Sequence, residues 1–279
     1  MKDSETGEAA RELARGAAQL GIDLNDRQVT QFQLYCSLLL DANQRFNLTG
    51  LKTPDAVMRT LFLDSLTVAT VLPSRLSRPE RPVKAVDVGT GAGVPGLPLA
   101  ILFPHWWLLL IESNQKKARF VQDVASALSL PNVSVAPSRA EEVGMMDLHR
   151  DSADLCLARA VAPLASLVEF CAPLVKIGGA LAFPKSGDVQ SECEAAEPAA
   201  RALQLGGRTI HPIPDYLDLG ANRFVVLYRK IGTTPPGYPR RVGLATSHPI
   251  GRAGADAPPP IHGQRSPARS ERRRRPEPG

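Results

Sequence analysis

The stretch VDVGTGAGVPG, residues 86–96, decides the fold of this chain of 279 residues. It ends an apolar run at 83–88 and opens a helical pattern, so it is the turn between a buried strand and a helix. Gly89, Gly91 and Gly93 have no Cβ, which lets the backbone of such a turn come very close to a ligand. The stretch therefore predicts a ligand-binding strand–turn–helix unit of an α/β sheet.

Two classes of ligand fit this turn. Gly91, Gly93 and Gly96 also satisfy the GxGxxG pattern of dinucleotide sites, although that pattern alone is weak evidence. Asp87 directly precedes the glycines and favours S-adenosylmethionine (SAM), because a carboxylate there can meet the positive amino group of a methionyl moiety. In a dinucleotide site the same acid would face a pyrophosphate, so the turn favours SAM over NAD.

Three further features bear on the ligand. Pro95 and Pro98 remove N–H groups from the start of the next helix, where a phosphate would bind, and SAM has no phosphate. Glu112 ends the second predicted strand, where an acid can accept hydrogen bonds from the ribose hydroxyls of either ligand. Residues 138–142 follow the third strand and would face an adenine ring, although acids are also common at a helix N-terminus.

Beyond this turn the chain alternates between strand and helix patterns. Apolar runs of strand length are separated by amphipathic helical patterns, such as the one that places Phe120, Val121, Val124 and Leu128 on one face. The alternation predicts a mostly parallel α/β sheet with helices on both faces, which binds ligands beyond the carboxyl ends of its strands. The predicted strands are 83–88, 107–111, 133–136, 154–158, 180–183 and 224–229.

Composition divides the chain into four parts. Residues 1–24 are a polar N-terminal segment, and residues 25–75 form a helical region that we expect to pack on the core. Residues 83–232 form the SAM-binding domain. Residues 233–279 hold nine arginines, no lysine and three acids, a balance of +6 in a chain of +5. With ten of the 25 prolines, this last part predicts a disordered basic tail.

Cysteine usage and hydropathy indicate the compartment. The four cysteines form no CxxC pair and have no histidine at metal-ligand spacing, which indicates buried thiols, a reducing cytosol and no metal site. The N-terminus lacks the apolar core of a signal peptide, and no apolar run is long enough to span a bilayer. We therefore expect a cytoplasmic protein without a membrane partner.

Several motifs occur together in an order that resembles the RsmG family, also called glucose-inhibited division protein B. The resemblance covers residues 27–250 and includes Tyr238-Pro239-Arg240-Arg241, which is similar to the basic segment that ends family members. It implies a class I, Rossmann-like methyltransferase with a seven-stranded sheet. The motifs are Phe46-Asn47-Leu48-Thr49, Leu63-Asp64-Ser65, DVGTGAGVPG at 87–96, SRAEE at 138–142, ARAVAPL at 158–164 and Lys185.

The resemblance also implies site residues. It places SAM contacts at Gly89 and Val94, adenine contacts at Ala140 and Glu141, and a further contact at Arg159. The assignment of Arg159 is also supported by a physical argument, because this arginine directly follows an apolar strand and so lies at its ligand-facing end. The competing interpretation of the arginine is a surface salt bridge.

The implied reaction is N7-methylation of a guanine in the 530-loop region of 16S rRNA, on free rRNA or the small ribosomal subunit, by a monomer. Guanine N7 has a lone pair and no proton, so the reaction needs no general base. Arg139, Lys185 and also Arg159 are the candidates for holding RNA. The sequence departs from the family at Leu61, where a histidine is usual, and at Pro184-Lys185-Ser186, where leucine-lysine-glycine is usual.

Three alternatives stay open at this point. The chain could be a class I methyltransferase that acts on another RNA or on a small molecule, or a NAD-dependent oxidoreductase. The alternative that is not an enzyme is a SAM-binding, RNA-associated regulator.

Overall fold

The computed structural model describes residues 2–78 and 81–251. They form one seven-stranded sheet in the order β3-β2-β1-β4-β5-β7-β6, in which β7 runs antiparallel to both neighbours and the other pairings are parallel. The predicted α/β fold with a mostly parallel seven-stranded sheet is confirmed. The strands are β1 (Val83–Val88), β2 (Trp106–Ile111), β3 (Val133–Ala136), β4 (Ala153–Ala158), β5 (Val175–Ser186), β6 (Leu205–Pro212) and β7 (Arg223–Lys230).

Helices cover both faces of this sheet, because alternate residues of a strand point to opposite sides. Val83 and Ala85 of β1 pack into one hydrophobic cluster, whereas Val86 and Val88 pack into the other. The helices are α1 (Lys2–Gln19), α2 (Asp26–Arg45), α3 (Pro54–Val57), α4 (Asp64–Val71), α5 (Ser74–Ser77), α6 (Gly96–Leu102), α7 (Gln115–Ala127), α8 (Ala140–Met145), α9 (Leu164–Cys171), α10 (Val189–Ala202) and α11 (Leu244–Ser247).

The helices α1 to α5 form an N-terminal layer on the first of these clusters. Asn25 caps α2 through a reciprocal pair of hydrogen bonds with Gln28, and the apolar face of α2 is buried. Residues 1–24 were predicted to be a polar N-terminal segment, and most of them form α1. Although the sequence of α1 is polar, it has a stripe of apolar side chains that is buried against the rest of the layer. These side chains are Ala9, Ala10, Leu13 and Ala17.

Residues 54–71 lie in the predicted helical region, and they are helical but not regular. Thr53 caps α3 by accepting a hydrogen bond from the N–H of Ala56. Between α3 and α4 lies one π-helical segment, Met58–Leu63, which is continuous with both. The segment lies next to the candidate site, and π turns are frequent in such places.

The sequence misses some elements and misplaces one boundary. β6 escapes detection because it contains Gly206-Gly207 and is only partly buried. Residues 233–251, expected to belong to a disordered tail, pack on the domain and include α11. Residues 252–279, the remainder of the predicted tail, lie outside the described residues. None of the described helices combines the length and hydropathy that crossing a membrane requires.

Candidate active site

The glycine turn after β1 forms an open cradle at the carboxyl end of the sheet. Gly89, Gly91 and Gly93 have φ values of +68°, +61° and +97°, a region that L side chains rarely adopt. A Cβ on Gly91 would meet nothing nearer than the carbonyl oxygen of Gly89, at 3.8 Å. The space beside Gly91 is therefore free for a ligand, and the turn has the shape that close approach requires.

Tyr35 of α2 supports this turn from the side of the N-terminal layer. Its buried hydroxyl donates a hydrogen bond of 2.6 Å to the carbonyl oxygen of Ala92. A Cβ on Gly93 would lie 2.6 Å from the same hydroxyl, so the glycine is needed for this contact. Burial raises the pKa of Tyr35 well above its ordinary value, which keeps the hydroxyl a donor. The sequence marks Tyr35 only as a core residue, and no local motif indicates its role at the turn.

Asp87 lies beneath the turn and is fully buried. Its Oδ2 accepts hydrogen bonds from the hydroxyl of Thr90, at 2.6 Å, and from the N–H of Gly96, at 3.0 Å. Its Oδ1 has no hydrogen-bond partner in the described structure. Burial, opposed by these hydrogen bonds, raises the pKa of Asp87 to about 6. One oxygen therefore shapes the turn, and the other remains available to a donor.

Glu112 follows β2 and also holds the turn. Its Oε2 accepts a hydrogen bond of 2.9 Å from the N–H of Gly91, and its Oε1 accepts one of 2.7 Å from the N–H of Asn114. A carboxylate oxygen has more than one lone pair, so both oxygens can still accept a hydroxyl. Glu112 thus links the end of β2 to the glycine turn, a role that its position in the sequence does not reveal.

A cavity of about 160 Å³ opens beside the glycine turn. This volume is below the roughly 300–1,000 Å³ that enclose a whole drug-sized ligand, so the cavity can surround only one end of a molecule such as SAM. The lining includes four residues predicted as site residues, namely Gly89, Arg139, Ala140 and Glu141. The other lining residues are Val88, Ile111, Ser113, Ser138, Val161, Phe170, Val242, Gly243 and Thr246.

Arg139 and Glu141 lie at the start of α8 but differ in their surroundings. Arg139 is exposed, and its backbone N–H donates to Oε2 of Glu142, at 3.1 Å. Glu141 is buried, and its Oε1 accepts a hydrogen bond of 3.0 Å from the N–H of Gly243. Residues 138–142, which were predicted to face the adenine ring, are therefore hydrogen-bonded to a segment that is distant in the sequence.

Arg159 does not point into this cavity. Its guanidinium lies 2.8 Å from Oδ2 of the buried Asp64, an ion pair whose geometry is not that of an aligned hydrogen bond. It donates hydrogen bonds to the carbonyl oxygens of Thr60 and Leu61, at 2.8 and 3.3 Å. Burial lowers its pKa, and the nearby carboxylate of Asp64 opposes that shift. The arginine predicted to contact the ligand thus joins β4 to the N-terminal layer.

Lys185 and Val94 also have partners within the protein. The Nζ of Lys185 lies 2.7 Å from Oε1 of Glu192 and donates to the carbonyl oxygen of Ala162, and only a tenth of the side chain is exposed. In this arrangement it positions the loop after β4 and is not free to bind RNA. Val94 packs against the N-terminal cluster, and its N–H donates to the carbonyl oxygen of Thr90. Neither residue lines the cavity.

Two observations show that this edge of the sheet fits SAM. Oδ1 of Asp87 is a buried acceptor that still lacks a donor, and the place of a Cβ on Gly91 is open. A sheet of this strand order, with a glycine turn after β1 and an acid after β2, is that of a class I SAM-dependent methyltransferase.

Comparison with known proteins identifies the family. Residues 28–212 match the family model described as "GidB: rRNA small subunit methyltransferase G". Ribosomal RNA small subunit methyltransferase G of Dehalococcoides mccartyi is 40% identical over 240 residues, which cover 86% of this chain and 99% of the relative. The protein of that name from Roseiflexus castenholzii is 40% identical over 239 residues, with the same coverage. This chain belongs to the small-subunit rRNA methyltransferase G family, the RsmG family that its motifs resemble.

Among solved structures, a single-site mutant of the 16S rRNA (adenine(1408)-N(1))-methyltransferase from Catenulisporales acidiphilia aligns with a TM-score of 0.45 and 13% identity. The alignment covers 55% of this chain and 87% of that one. At this distance it adds nothing to the family match.

Proposed function

We propose that this protein transfers the methyl group of SAM to N7 of a guanine in the 530-loop region of 16S rRNA. The observation that carries the proposal is the glycine turn, in which the space beside Gly91 is open and the buried Asp87 keeps one oxygen without a donor. The names of the relatives support the small-subunit rRNA as the substrate. The choice of N7 and of this region rests on the family resemblance.

Five residues would hold the cofactor in this proposal. Oδ1 of Asp87 would accept from the amino group of SAM, and Gly91 would let the backbone approach. Glu112 would accept from the ribose hydroxyls, for which its oxygens keep free lone pairs. The cavity walls at Ala140 and Glu141 would enclose the adenine. When bound, SAM supplies a methyl group on a positively charged sulfur.

The described residues support a mechanism by alignment and exclusion of water. Guanine N7 carries a lone pair and no proton, so the protein has to orient N7 toward the methyl group rather than remove a proton. The carboxylates of Asp87, Glu112 and Glu141 all accept hydrogen bonds from backbone N–H groups. Each of them is better suited to hold the turn, the strand end or the cavity wall in place than to act as a mobile base.

The RNA side of the site is expected where exposed arginines border the cavity. Arg139 lines the cavity at the start of α8, and Arg241 directly precedes the lining residue Val242. Both side chains are exposed, and guanidinium groups suit the phosphates of a folded RNA. Arg241 takes the place of Lys185 among the RNA-binding candidates. We further propose that the protein acts in the cytoplasm as a monomer.

Methylation mapping tests this proposal. The protein, with methyl-labelled SAM, is incubated with small subunits and with free 16S rRNA from cells that lack the activity, and N7-methylguanine is located by mass spectrometry. We expect a single N7-methylguanine in the 530 loop. Glu112→Ala should weaken SAM binding at least about tenfold, because hydrogen bonds to a charged acceptor contribute about 1.5–3 kcal/mol each. Label on another base would overturn the proposed reaction, and SAM binding without transfer to either RNA would indicate a regulator.

A further inference from the structure

The segment Thr233–Gly251, here called the strap, crosses the domain after β7 and is held by buried charges. The guanidinium of Arg240 makes two hydrogen bonds to the carboxylate of Glu169 in α9, at 2.8 and 2.6 Å. Both side chains are almost completely buried. Bidentate pairs of this kind fix orientation as well as distance. The strap therefore has one defined position on α9.

A second group of contacts fixes the beginning of the strap. The buried Lys230 donates to the hydroxyl of Thr234 and to the carbonyl oxygen of Ala172, at 2.6 and 2.7 Å. Arg150 donates to three carbonyl oxygens of the strap, those of Thr234, Pro235 and Tyr238. These donors satisfy backbone carbonyl groups that would otherwise be unpaired, so the strap is an integral part of the folded domain.

From these anchors the strap passes over the cavity beside the glycine turn. Val242, Gly243 and Thr246 line that cavity together with Gly89 and Ala140. The N–H of Gly243 holds the carboxylate of Glu141, so the two walls are joined by a hydrogen bond. Ala245, between them in the sequence, is buried, and its carbonyl oxygen accepts a hydrogen bond from the hydroxyl of Ser166 in α9. The cavity thus has a floor made by the sheet and a roof made by the strap.

We infer that Val242 and Thr246 are part of the cofactor site and contact the adenosine end of SAM, with the Arg240–Glu169 pair holding them in place. The inference rests on the proposed function. The purine side of a nucleoside is flat and largely apolar, and pockets for such groups are lined by apolar side chains with a few polar groups. Val242 is 47% exposed, as expected of an apolar wall that a ligand covers.

The inference also explains why two neighbouring arginines are used differently. Arg240 is buried in an ion pair, whereas Arg241 is exposed at the mouth of the cavity. The first fixes the roof and the second remains free for a phosphate. The strap would then contribute to cofactor and RNA binding through separate side chains, and the two contributions can be tested apart.

A bulky substitution in the roof is the direct test. Thr246→Trp places an indole in the cavity, whereas Ser247→Trp places it at the next exposed position, which does not line the cavity. We measure the dissociation constant of SAM by calorimetry for the wild type and both variants, with circular dichroism as the check of folding. We expect Thr246→Trp to weaken SAM binding at least about tenfold, because a filled cavity has no room for the ligand. Ser247→Trp should stay within about twofold of the wild type.

A truncating substitution provides a second readout that cannot fail by blocking or misfolding. Val242→Ala removes two methyl groups from an exposed side chain, and we expect roughly fifteenfold weaker binding if the ligand buries both, since each contributes about 0.8 kcal/mol. S-adenosylhomocysteine should lose affinity by the same factor as SAM, because the two share the adenosine end.

The outcomes separate this inference from the proposed function. If the wild type binds SAM and both Thr246→Trp and Val242→Ala bind it equally well, the roof is not part of the site and the inference is overturned. Unequal losses for SAM and S-adenosylhomocysteine would place the contact at the methionyl end and would also overturn it. A wild type that binds no SAM would overturn the proposed function itself, and the inference with it.

Discussion

The N-terminal layer and the strap approach the same edge of the sheet from opposite faces, and they are attached in different ways. The layer is held mainly by apolar side chains such as Phe32, Phe62 and Leu66, all fully buried. The strap is held by two buried cations, Lys230 and Arg240, and by their acceptors. The layer is attached mainly by buried apolar area, which is not directional, beside the ion pair of Asp64 with Arg159, whereas the strap is attached mainly by directional contacts.

This difference predicts different sensitivities to mutation. Apolar contacts are spread over many side chains, so a volume-conserving change in the layer costs little. A buried ion pair concentrates the risk, because removal of one partner leaves an uncompensated charge. The strap should therefore be the more fragile of the two, although it buries fewer large side chains.

The largest expected effect is at the ion pair of the strap. Glu169→Ala leaves the guanidinium of Arg240 buried without a partner, and we expect the free energy of unfolding to fall by about 3–5 kcal/mol. Urea unfolding measures this change. The control is the double variant Glu169→Leu, Arg240→Met, which replaces both charges and should recover most of the loss. A single variant as stable as the wild type would show that the strap is not held by this pair.

The next largest expected effect is the pH dependence of SAM binding, which tests Asp87 at the sheet edge between the N-terminal layer and the strap. Burial raises the pKa of Asp87 to about 6, so its carboxyl is mostly protonated at pH 5 and mostly ionised at pH 7. Only the ionised form attracts the amino group of SAM. We therefore expect SAM to bind about tenfold more tightly at pH 7 than at pH 5, as linkage requires for one such proton. Asp87→Asn should remove this pH dependence of SAM affinity. Calorimetry between pH 5 and pH 7 measures it for both proteins, and a wild-type affinity that does not change with pH would contradict the expectation.

A smaller effect is expected at the polar contact between the N-terminal layer and the glycine turn. Tyr35→Phe keeps the ring and removes the hydroxyl, which leaves the carbonyl oxygen of Ala92 without its donor. We expect the unfolding free energy to fall by about 1 kcal/mol and SAM affinity to fall a few-fold. Ser37→Ala, on the same helix, removes a hydroxyl that bonds within the helix and serves as the control. Equal behaviour of the two variants would argue against a special role for Tyr35.

The smallest expected effect concerns the two exposed arginines of the cavity mouth. Arg139→Ala before α8 and Arg241→Ala on the strap should each reduce the salt dependence of RNA binding. We expect the slope of the logarithm of the binding constant against the logarithm of the salt concentration to fall by about 0.7–0.9 in each variant. SAM affinity should remain within about twofold in both. Filter binding at several salt concentrations measures the slopes. If only Arg139→Ala changes its slope, the strap contributes to the cofactor site but not to RNA binding.

Much of the fold follows from local sequence patterns. The first two strand runs end at a glycine and an acid, and the stripe of Phe32, Tyr35 and Cys36 has helical spacing, so these elements can be read directly from the sequence. β6 and α1 are harder. Their apolar residues are few or small, and they are stable only because the rest of the domain is already in place.

The site is predictable where a motif determines backbone shape and less so where long-range contacts decide. The glycine turn, Asp87 and Glu112 stand where the sequence places them. Arg159 and Lys185 were assigned to ligand and RNA, yet each has a carboxylate partner from another element, Asp64 or Glu192. No local pattern shows which distant acid a cation will meet. The strap was missed for the same reason, because its anchors lie far from it in the sequence.

Because of the π-helical segment Met58–Leu63, the packing of the N-terminal layer depends on the number of residues in this segment as well as on their identity. A π turn holds one residue more than an α turn, so the helix after it is rotated relative to the helix before it. The extra residue brings Asp64 and the carbonyl oxygens of Thr60 and Leu61 to the guanidinium of Arg159. Loss of a single codon within 58–63 would restore a regular helix and turn this acid away from its arginine, even if every remaining residue were unchanged.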